Sequence, residues 1–333
     1  MKKKYDVYGI GNALVDIVTE VDDAFLETNK VEKGLMTLVD EHRQHELSEA
    51  IDLAGSDMQC GGSAANTIIA VSQFGGSAYY SCKVANDELG KFYLTDLKGN
   101  GVDTNLTEET SPSGITGKCL VMTTPDANRT MNTFLGITST FSTDEVVESA
   151  LRDSEYVYIE GYLVTSEAGR KAMKHVKKLA EDNGVKVALT FSDPSMVKYF
   201  RAEMEEIVGA SVDLLFCNEE EAMLFTETET IDAAREKLKK VAKRFAITLG
   251  SNGAMIFDGD TFIDIEPYSV EAIDTNGAGD LFAGAFLYGI THDHSYAEAG
   301  KIASLASSRV VGKFGPRLEW HEAKDVLNHL FEI

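Results

Sequence analysis

The sequence predicts an α/β protein with a three-layer αβα core on a mostly parallel sheet, joined by a second, smaller β-sheet. Two observations point to the core. Short apolar runs of strand length alternate with longer helical patterns through most of the 333 residues, which is the signature of crossover βα units. Those runs are apolar throughout rather than alternating, as strands covered on both faces are. A third observation points to the smaller sheet: residues 13–38 and 106–136 break the rhythm, being rich in Val, Ile, Thr and Met with few helix starts.

In chain order, strands are expected at Tyr5–Ile10, Ala78–Val84, Tyr156–Ile159, Val185–Phe191, Leu214–Cys217, Phe245–Leu249 and Ala254–Phe257. Helices are expected at Ser63–Phe74, Glu88–Asn100, Ser166–Asn183, Ile231–Lys243, Gly277–Ile290 and Tyr296–Val311. Residues 1–12, 39–105 and 137–333 then form the core, and segments 13–38 and 106–136 pair in space as an insertion. There is no internal repeat, low-complexity tract or long Pro/Ser linker that would tether a separate domain. In a sheet of this kind, ligands gather at the carboxyl ends of the strands.

Composition narrows the function classes. A formal charge of −23 argues against sequence-independent nucleic-acid binding, which needs Lys and Arg to replace counterions. No apolar run approaches the roughly 18–20 residues that cross a membrane. The basic start is followed at once by a strand-like run, not a leader, so a cytoplasmic enzyme is expected. The four Cys form no Cys-x-x-Cys pair and the seven His show no metal-ligand spacing. His292-Asp293-His294 reads as a polar loop between helices.

Chemistry enters at Asp274-Thr275-Asn276-Gly277-Ala278-Gly279-Asp280, which runs into the apolar stretch from Leu281. Small residues at 277–279 leave backbone N–H groups bare at a helix start, where an anion is favoured. Asp280 would be repelled by a bound phosphate unless it takes a proton from a hydroxyl that attacks that phosphate. A second string, Gly61-Gly62-Ser63-Ala64-Ala65-Asn66, allows close approach of a ligand to backbone and sets Asn66 one helical turn beyond Gly62. An amide there can donate to and accept from a sugar hydroxyl.

Together the two strings resemble the C-terminal and N-terminal signatures of the ribokinase (PfkB-type) carbohydrate and nucleoside kinases. The resemblance runs from Gly11 to about Pro316 and implies the ribokinase-like fold, with the small sheet as a lid over the acceptor. It implies Asp280 as general base, Gly277, Ala278 and Gly279 as the anion hole, and Gly61, Gly62 and Asn66 as acceptor contacts. Gly9-Ile10-Gly11-Asn12-Ala13-Leu14-Val15-Asp16 is a near miss to the dinucleotide fingerprint, with Leu14 in place of its third glycine. It is similar to the adenosine-kinase branch, in which the Asp holds ribose hydroxyls; Asp16 could accept two hydrogen bonds there, with Asn12 beside it. Asp126-Ala127-Asn128-Arg129-Thr130 resembles the same branch and implies Arg129 near the transferred phosphate, where its planar fork suits phosphoryl oxygens.

The resemblance extends to the nucleotide. Asn218-Glu219-Glu220-Glu221 fits the family's Asn-x-x-Glu element and implies that Asn218 and Glu221 organise Mg²⁺, directly or through water. The acid run leaves open which Glu is meant. Thr248, Gly250, Ser251 and Gly253 would lie along the ATP phosphates, with no P-loop present. Phe314 and Gly315 would wall the adenine or a loop for a monovalent cation such as K⁺. Leu14 and Tyr162 could contact a purine.

The expected protein is thus an ATP- and Mg²⁺-dependent kinase of a primary hydroxyl, a monomer or homodimer. The 5′-hydroxyl of adenosine is the leading acceptor and ribose or fructose the alternative. A dinucleotide-dependent oxidoreductase using Gly9-Ile10-Gly11 and a noncatalytic sugar- or nucleoside-binding relative are readings from other classes.

Overall fold

The computed structural model describes residues 3–331 except 35, 52–56 and 127. Ala127 of the arginine string, and parts of both proposed insertion segments, therefore lie outside the described residues. The strands are β1 (Tyr5–Ile10), β2 (Leu14–Glu20), β3 (Met36–Leu38), β4 (Asp57–Gly61), β5 (Ala78–Ser81), β6 (Asp103–Thr104), β7 (Gly117–Thr123), β8 (Arg129–Phe134), β9 (Ser154–Ile159), β10 (Lys186–Thr190), β11 (Leu214–Asn218), β12 (Phe245–Thr248), β13 (Ala254–Phe257) and β14 (Phe262–Ile265). The helices are α1 (Asp23–Thr28), α2 (Glu41–Ala50), α3 (Ser63–Gln73), α4 (Glu88–Gly99), α5 (Glu148–Arg152), α6 (Glu167–Asp182), α7 (Pro194–Val208), α8 (Glu219–Thr226), α9 (Ile231–Leu238), α10 (Ala278–Thr291), α11 (Tyr296–Val311) and α12 (Trp320–Phe331).

Among the described residues the large sheet has the order β14-β13-β12-β11-β10-β9-β1-β5-β6. Every pair from β12 to β6 is parallel, and β13 and β14 close one edge as antiparallel strands. Apolar residues fill it on both faces. Val7, Tyr80, Tyr158 and Ala188 belong to one buried cluster with α3, α10 and α11, while Tyr8, Val157, Leu189 and Phe245 belong to another with α6 and α7. This is the three-layer arrangement that the all-apolar strands imply. The chain leaves β1 toward β5 on one side and returns to β9 on the other, so β1 and β9 form the switch point where such sheets open a crevice.

The small sheet has the order β3-β8-β7-β2-β4. It includes β4, paired antiparallel with β2 from Leu14 against Gly61 to Val18 against Asp57, whereas the sequence reading left residues 57–61 in the core segment. Side chains alternate across it. Ile17, Leu120 and Met122 share a buried cluster with Leu26 of α1 and Leu47 of α2. Leu14, Val18, Cys119, Val121 and Met131 belong to the opposite face.

Expected strands and helices match observed ones to within a few residues, apart from Ile231–Lys243, whose helix ends at Leu238. Segment 13–38 is not free of helices, however. Asp22 accepts a hydrogen bond from the Phe25 amide at 2.7 Å and caps α1. Asp40 caps α2 in the same way through Arg43. Both are ordinary N-caps; β-rich composition obscured the first, and the second lies just past that segment.

Candidate active site

α3 and α10 start at the same end of the large sheet and pack with little between them. A Cβ on Gly284 would stand 2.4 Å from the Thr67 carbonyl oxygen, so glycine there lets the two backbones approach. The first turns of the two helices then meet. Ser63 Oγ donates to Asp280 Oδ1 at 2.6 Å and Asn66 Nδ2 donates to Asp280 Oδ2 at 3.1 Å. Each carboxylate oxygen holds one protein donor and keeps a lone pair free for a ligand. Burial raises the Asp280 pKa, while these two hydrogen bonds and the cations of Arg129 and Arg317 pull it down.

At the head of α10, Gly277 has φ +70° and a Cβ there would lie 2.5 Å from Pro316 Cβ; only glycine fits both conditions. The amides of Gly279 and Asp280 lie in the first helical turn, without a carbonyl inside the helix to bond. Arg129 reaches this loop from the small sheet, its Nη1 donating to Asn276 Oδ1 at 3.0 Å. Asp274 ties the loop down by accepting from the amides of Asn276 at 2.9 Å and Gly315 at 3.1 Å. One prediction separates structure from chemistry here. Gly279→Ala should fold with an unchanged Tm, because the new Cβ meets no atom within 4 Å, yet lose most turnover by filling the anion hole. Gly277→Ala should instead lower stability by about 1–3 kcal/mol through strain and overlap. Thermal melts and steady-state rates of the two variants test this, and equal Tm losses would count against it.

The cavity between the two sheets measures about 420 Å³. Asp16 and Leu14 reach it from β2, Cys119 from β7, and Arg129, Met131 and Thr133 from β8. Asp16 is buried, accepts no hydrogen bond from the described residues, and burial pushes its pKa up to about 7. Its carboxylate lies over β4, where a Cβ on Gly61 would stand 2.2 Å from Asp16 Cγ. Gly61 therefore makes room for Asp16 and does not line the cavity itself. Gly62 does, with φ +100°.

Asn12 leaves the end of β1 and is held by Glu160 from the end of β9. Glu160 Oε2 accepts from the Asn12 amide at 2.7 Å and Asn12 Nδ2 at 3.0 Å, and Oε1 accepts from the Ala64 amide at 2.9 Å. One carboxylate thus stitches the switch point to the start of α3, although burial pushes its pKa up to about 7. Tyr162 lines the cavity, with its hydroxyl 3.5 Å from Asp193.

On the far side, Asn218 and Glu221 form a reciprocal cap of α8. The Asn218 amide and Nδ2 donate to Glu221 at 3.0 and 2.9 Å, and the Glu221 amide donates back at 2.8 Å. Glu221 is the buried member of the acid run and faces the cavity, while Glu219 and Glu220 are exposed. Burial pushes its pKa up to about 8. Both its oxygens already hold donors, and no cluster of three His, Cys, Asp or Glu able to hold a metal occurs among the described residues. This donor set fits a hydrated Mg²⁺ carried by phosphates better than a protein cage.

Thr248 lines the cavity, but Gly250, Ser251, Gly253, Phe314 and Gly315 do not. Gly253 closes the β12–β13 turn against the end of β14, where a Cβ would meet the Ile265 carbonyl at 2.0 Å. Gly315 is buried as an anchor for Asp274, and Phe314 and Ser251 are exposed. Ser63, Glu160, Asn276 and Arg317 are site residues that sequence reasoning passed over. A lone acid ending the apolar strand at 154–159 was a usable signal for Glu160; the others are visible only once the loops meet.

Asp16, Glu160 and Glu221 have a common consequence for stability. Each has a pKa raised by burial, so from about pH 4 upward through pH 7–8 the folded chain keeps protons that the unfolded chain has lost. Stability then falls as pH rises across that window. The unliganded protein should melt at a higher temperature at pH 6 than at pH 8, and a Tm that climbs over this interval would contradict the assignment.

A family model described as pfkB family carbohydrate kinase matches residues 36–323. Adenosine kinase from Sinorhizobium meliloti is 35% identical, with a TM-score of 0.89, covering 97% of this chain and 99% of that one. A probable sugar kinase protein from Rhizobium etli CFN 42 is 32% identical, with a TM-score of 0.91, covering 99% and 100%. Adenosine kinase 2 of Arabidopsis thaliana is 24% identical over 333 residues, 92% of this chain and 94% of that relative.

Proposed function

The chain belongs to the pfkB carbohydrate kinase family and is an ATP-dependent phosphotransferase with an alcohol acceptor, and from that premise we propose that it phosphorylates the 5′-hydroxyl of a nucleoside, adenosine first. The carrying observation is Asp16, a buried carboxylate without a donor among the described residues, beside the apolar wall of Leu14, Met36, Leu38, Met131 and Leu135. A free sugar offers hydroxyls around its whole ring and would leave that wall unmatched. A nucleoside offers two adjacent ribose hydroxyls to the carboxylate and a flat base to the wall. The Sinorhizobium meliloti relative is an adenosine kinase, which supports the same reading.

In this reading Asp280 removes the proton of the 5′-hydroxyl as its oxygen attacks the γ-phosphorus, the bond to the ADP oxygen breaks, and the proton stays on Asp280. The Gly277–Gly279 loop and Arg129 face the charge on the transferring group. Asp16, Asn12, Gly62 and Asn66 align the acceptor, and Tyr162 and Leu14 flank its base. Asn218, Thr248 and the turn at Gly250 and Ser251 attend the nucleotide. Mg²⁺, when bound near Glu221, supplies charge neutralisation on the phosphates.

The small sheet acts as a lid. Amide hydrogen exchange in residues 13–38 and 106–136 should slow when acceptor binds, and less so with an ATP analogue alone. Protection confined to residues 245–316 on acceptor binding would make the sheet a fixed wall. The Rhizobium etli sugar kinase relative favours ribose or fructose as a second reading. ATP consumption measured with adenosine, inosine, guanosine, ribose and fructose discriminates: kcat/KM highest for adenosine supports the proposal, and a sugar at the top overturns it. Binding without turnover across the panel would mean a noncatalytic protein.

A further inference from the structure

At the residue after Pro316, which packs against Gly277, the last loop before α12 delivers a buried guanidinium to the same site. The Arg317 side chain is 8% exposed. Its Nε donates to Asn66 Oδ1 at 3.0 Å, Nη1 to Asp96 Oδ2 at 3.1 Å, and Nη2 to Cys60 Sγ at 3.3 Å. Asp96 is itself fixed by the Cys60 amide at 2.7 Å.

A guanidinium only donates and an ionised carboxylate only accepts. Asn66 stands between the two, so its oxygen must face Arg317 and its NH₂ must face Asp280. With the amide reversed, nitrogen would meet nitrogen and oxygen would meet oxygen. We propose that Arg317 is a positioning residue for phosphoryl transfer, locking the Asn66 amide so that it donates to Asp280 and keeping a cation behind the base. The proposal rests on Asp280 being the general base.

Several charged or titratable groups face Asp280. Arg129 comes from β8 and Arg317 from the last loop, and both favour its ionised form. Asp16 on β2, Glu160 and Tyr158 at the end of β9, and Tyr162 stand within electrostatic reach. Of these, the carboxylates oppose ionisation. Arg317 also counters the burial of Asp16, so a single cation lowers the pKa of two carboxylates that burial raises.

The test is the pH profile of kcat. A base must be ionised to work, so activity falls as pH drops through its pKa, and loss of a facing cation moves that acid limb upward. Arg317→Met should lower kcat at pH 7 by about 10- to 100-fold and move the acid limb up by about one pH unit, with partial recovery toward pH 9. KM for ATP should stay within about twofold. A uniform loss at all pH values, with the limb in place, would assign Arg317 to structure alone and overturn the proposal.

Should Arg317→Met not fold, Arg317→Lys decides. An ammonium keeps a cation beside Asp96 but cannot span Asp96 and Asn66 with a planar fork, so kcat should still drop by about fivefold or more. Parental kcat and an unmoved limb in Arg317→Lys overturn the proposal whatever the Met variant does. Asp280→Asn, measured alongside, tells the two readings apart. If it is inactive while the Arg317 variants keep the parental limb, positioning fails and the base stands; if it stays within tenfold of the parent, both fail.

Discussion

Asp280→Asn lowers kcat by about 10²–10⁴, the usual contribution of a positioned general base, while ATP and acceptor bind nearly as in the parent. The amide has the same shape but cannot take the acceptor proton. Its oxygen can still accept from Asn66 while its NH₂ faces Ser63, whose hydroxyl turns from donor to acceptor. Isothermal titration separates binding from turnover. Turnover within tenfold of the parent would remove Asp280 from the role.

The second large effect is expected at Asp16. Replacing it with Ala should cost roughly 2–4 kcal/mol of transition-state binding, from two charge-assisted hydrogen bonds at about 1.5–3 kcal/mol each that do not add fully. That is a drop of about 30- to 1000-fold in acceptor kcat/KM with ATP affinity intact. A pH signature follows from the same group. Without acceptor its pKa stands near 7, and ribose hydroxyls bond the ionised form, so acceptor affinity should weaken as pH falls below about 7 and this dependence should vanish in Asp16→Ala. Equal turnover of 2′-deoxy and 3′-deoxy acceptors would show that Asp16 reads no hydroxyls.

How much of this was legible in the chain can be seen residue by residue. Tyr5–Ile10 and Ala254–Phe257 were read to the residue, because an apolar run bounded by polar or glycine residues leaves a strand little freedom. α1 and α2 were missed, because a six-residue helix inside a β-rich segment and a helix with polar residues on most faces both carry weak periodicity. In the site, strings that are contiguous in sequence were readable: Gly277–Asp280, Gly62–Asn66 and Asn12–Asp16 all reach one cavity. Contacts made by residues from separate segments were not. Glu160 bonds Asn12 only because β1 and β9 are neighbours across the switch point. The register of the Glu219–Glu221 run was likewise undecidable until burial singled out Glu221.

The close passage of α3 over α10 at Gly284 and Thr67 has a consequence for how this enzyme can change. The two signature strings are cantilevers clamped at one point, each projecting about one helical turn from the clamp to its working end. Bulk added at 284 would spread them like the handles of pliers, moving Ser63 and Asn66 off Asp280 together, although it touches no reacting atom. The reach of Asp280 is thus set where two main chains meet. Side-chain changes around the acceptor can revise which hydroxyl is offered, whereas the hinge of the tool tolerates no comparable revision. Acceptor preference is free to drift in such a chain while the phosphoryl-transfer end stays fixed.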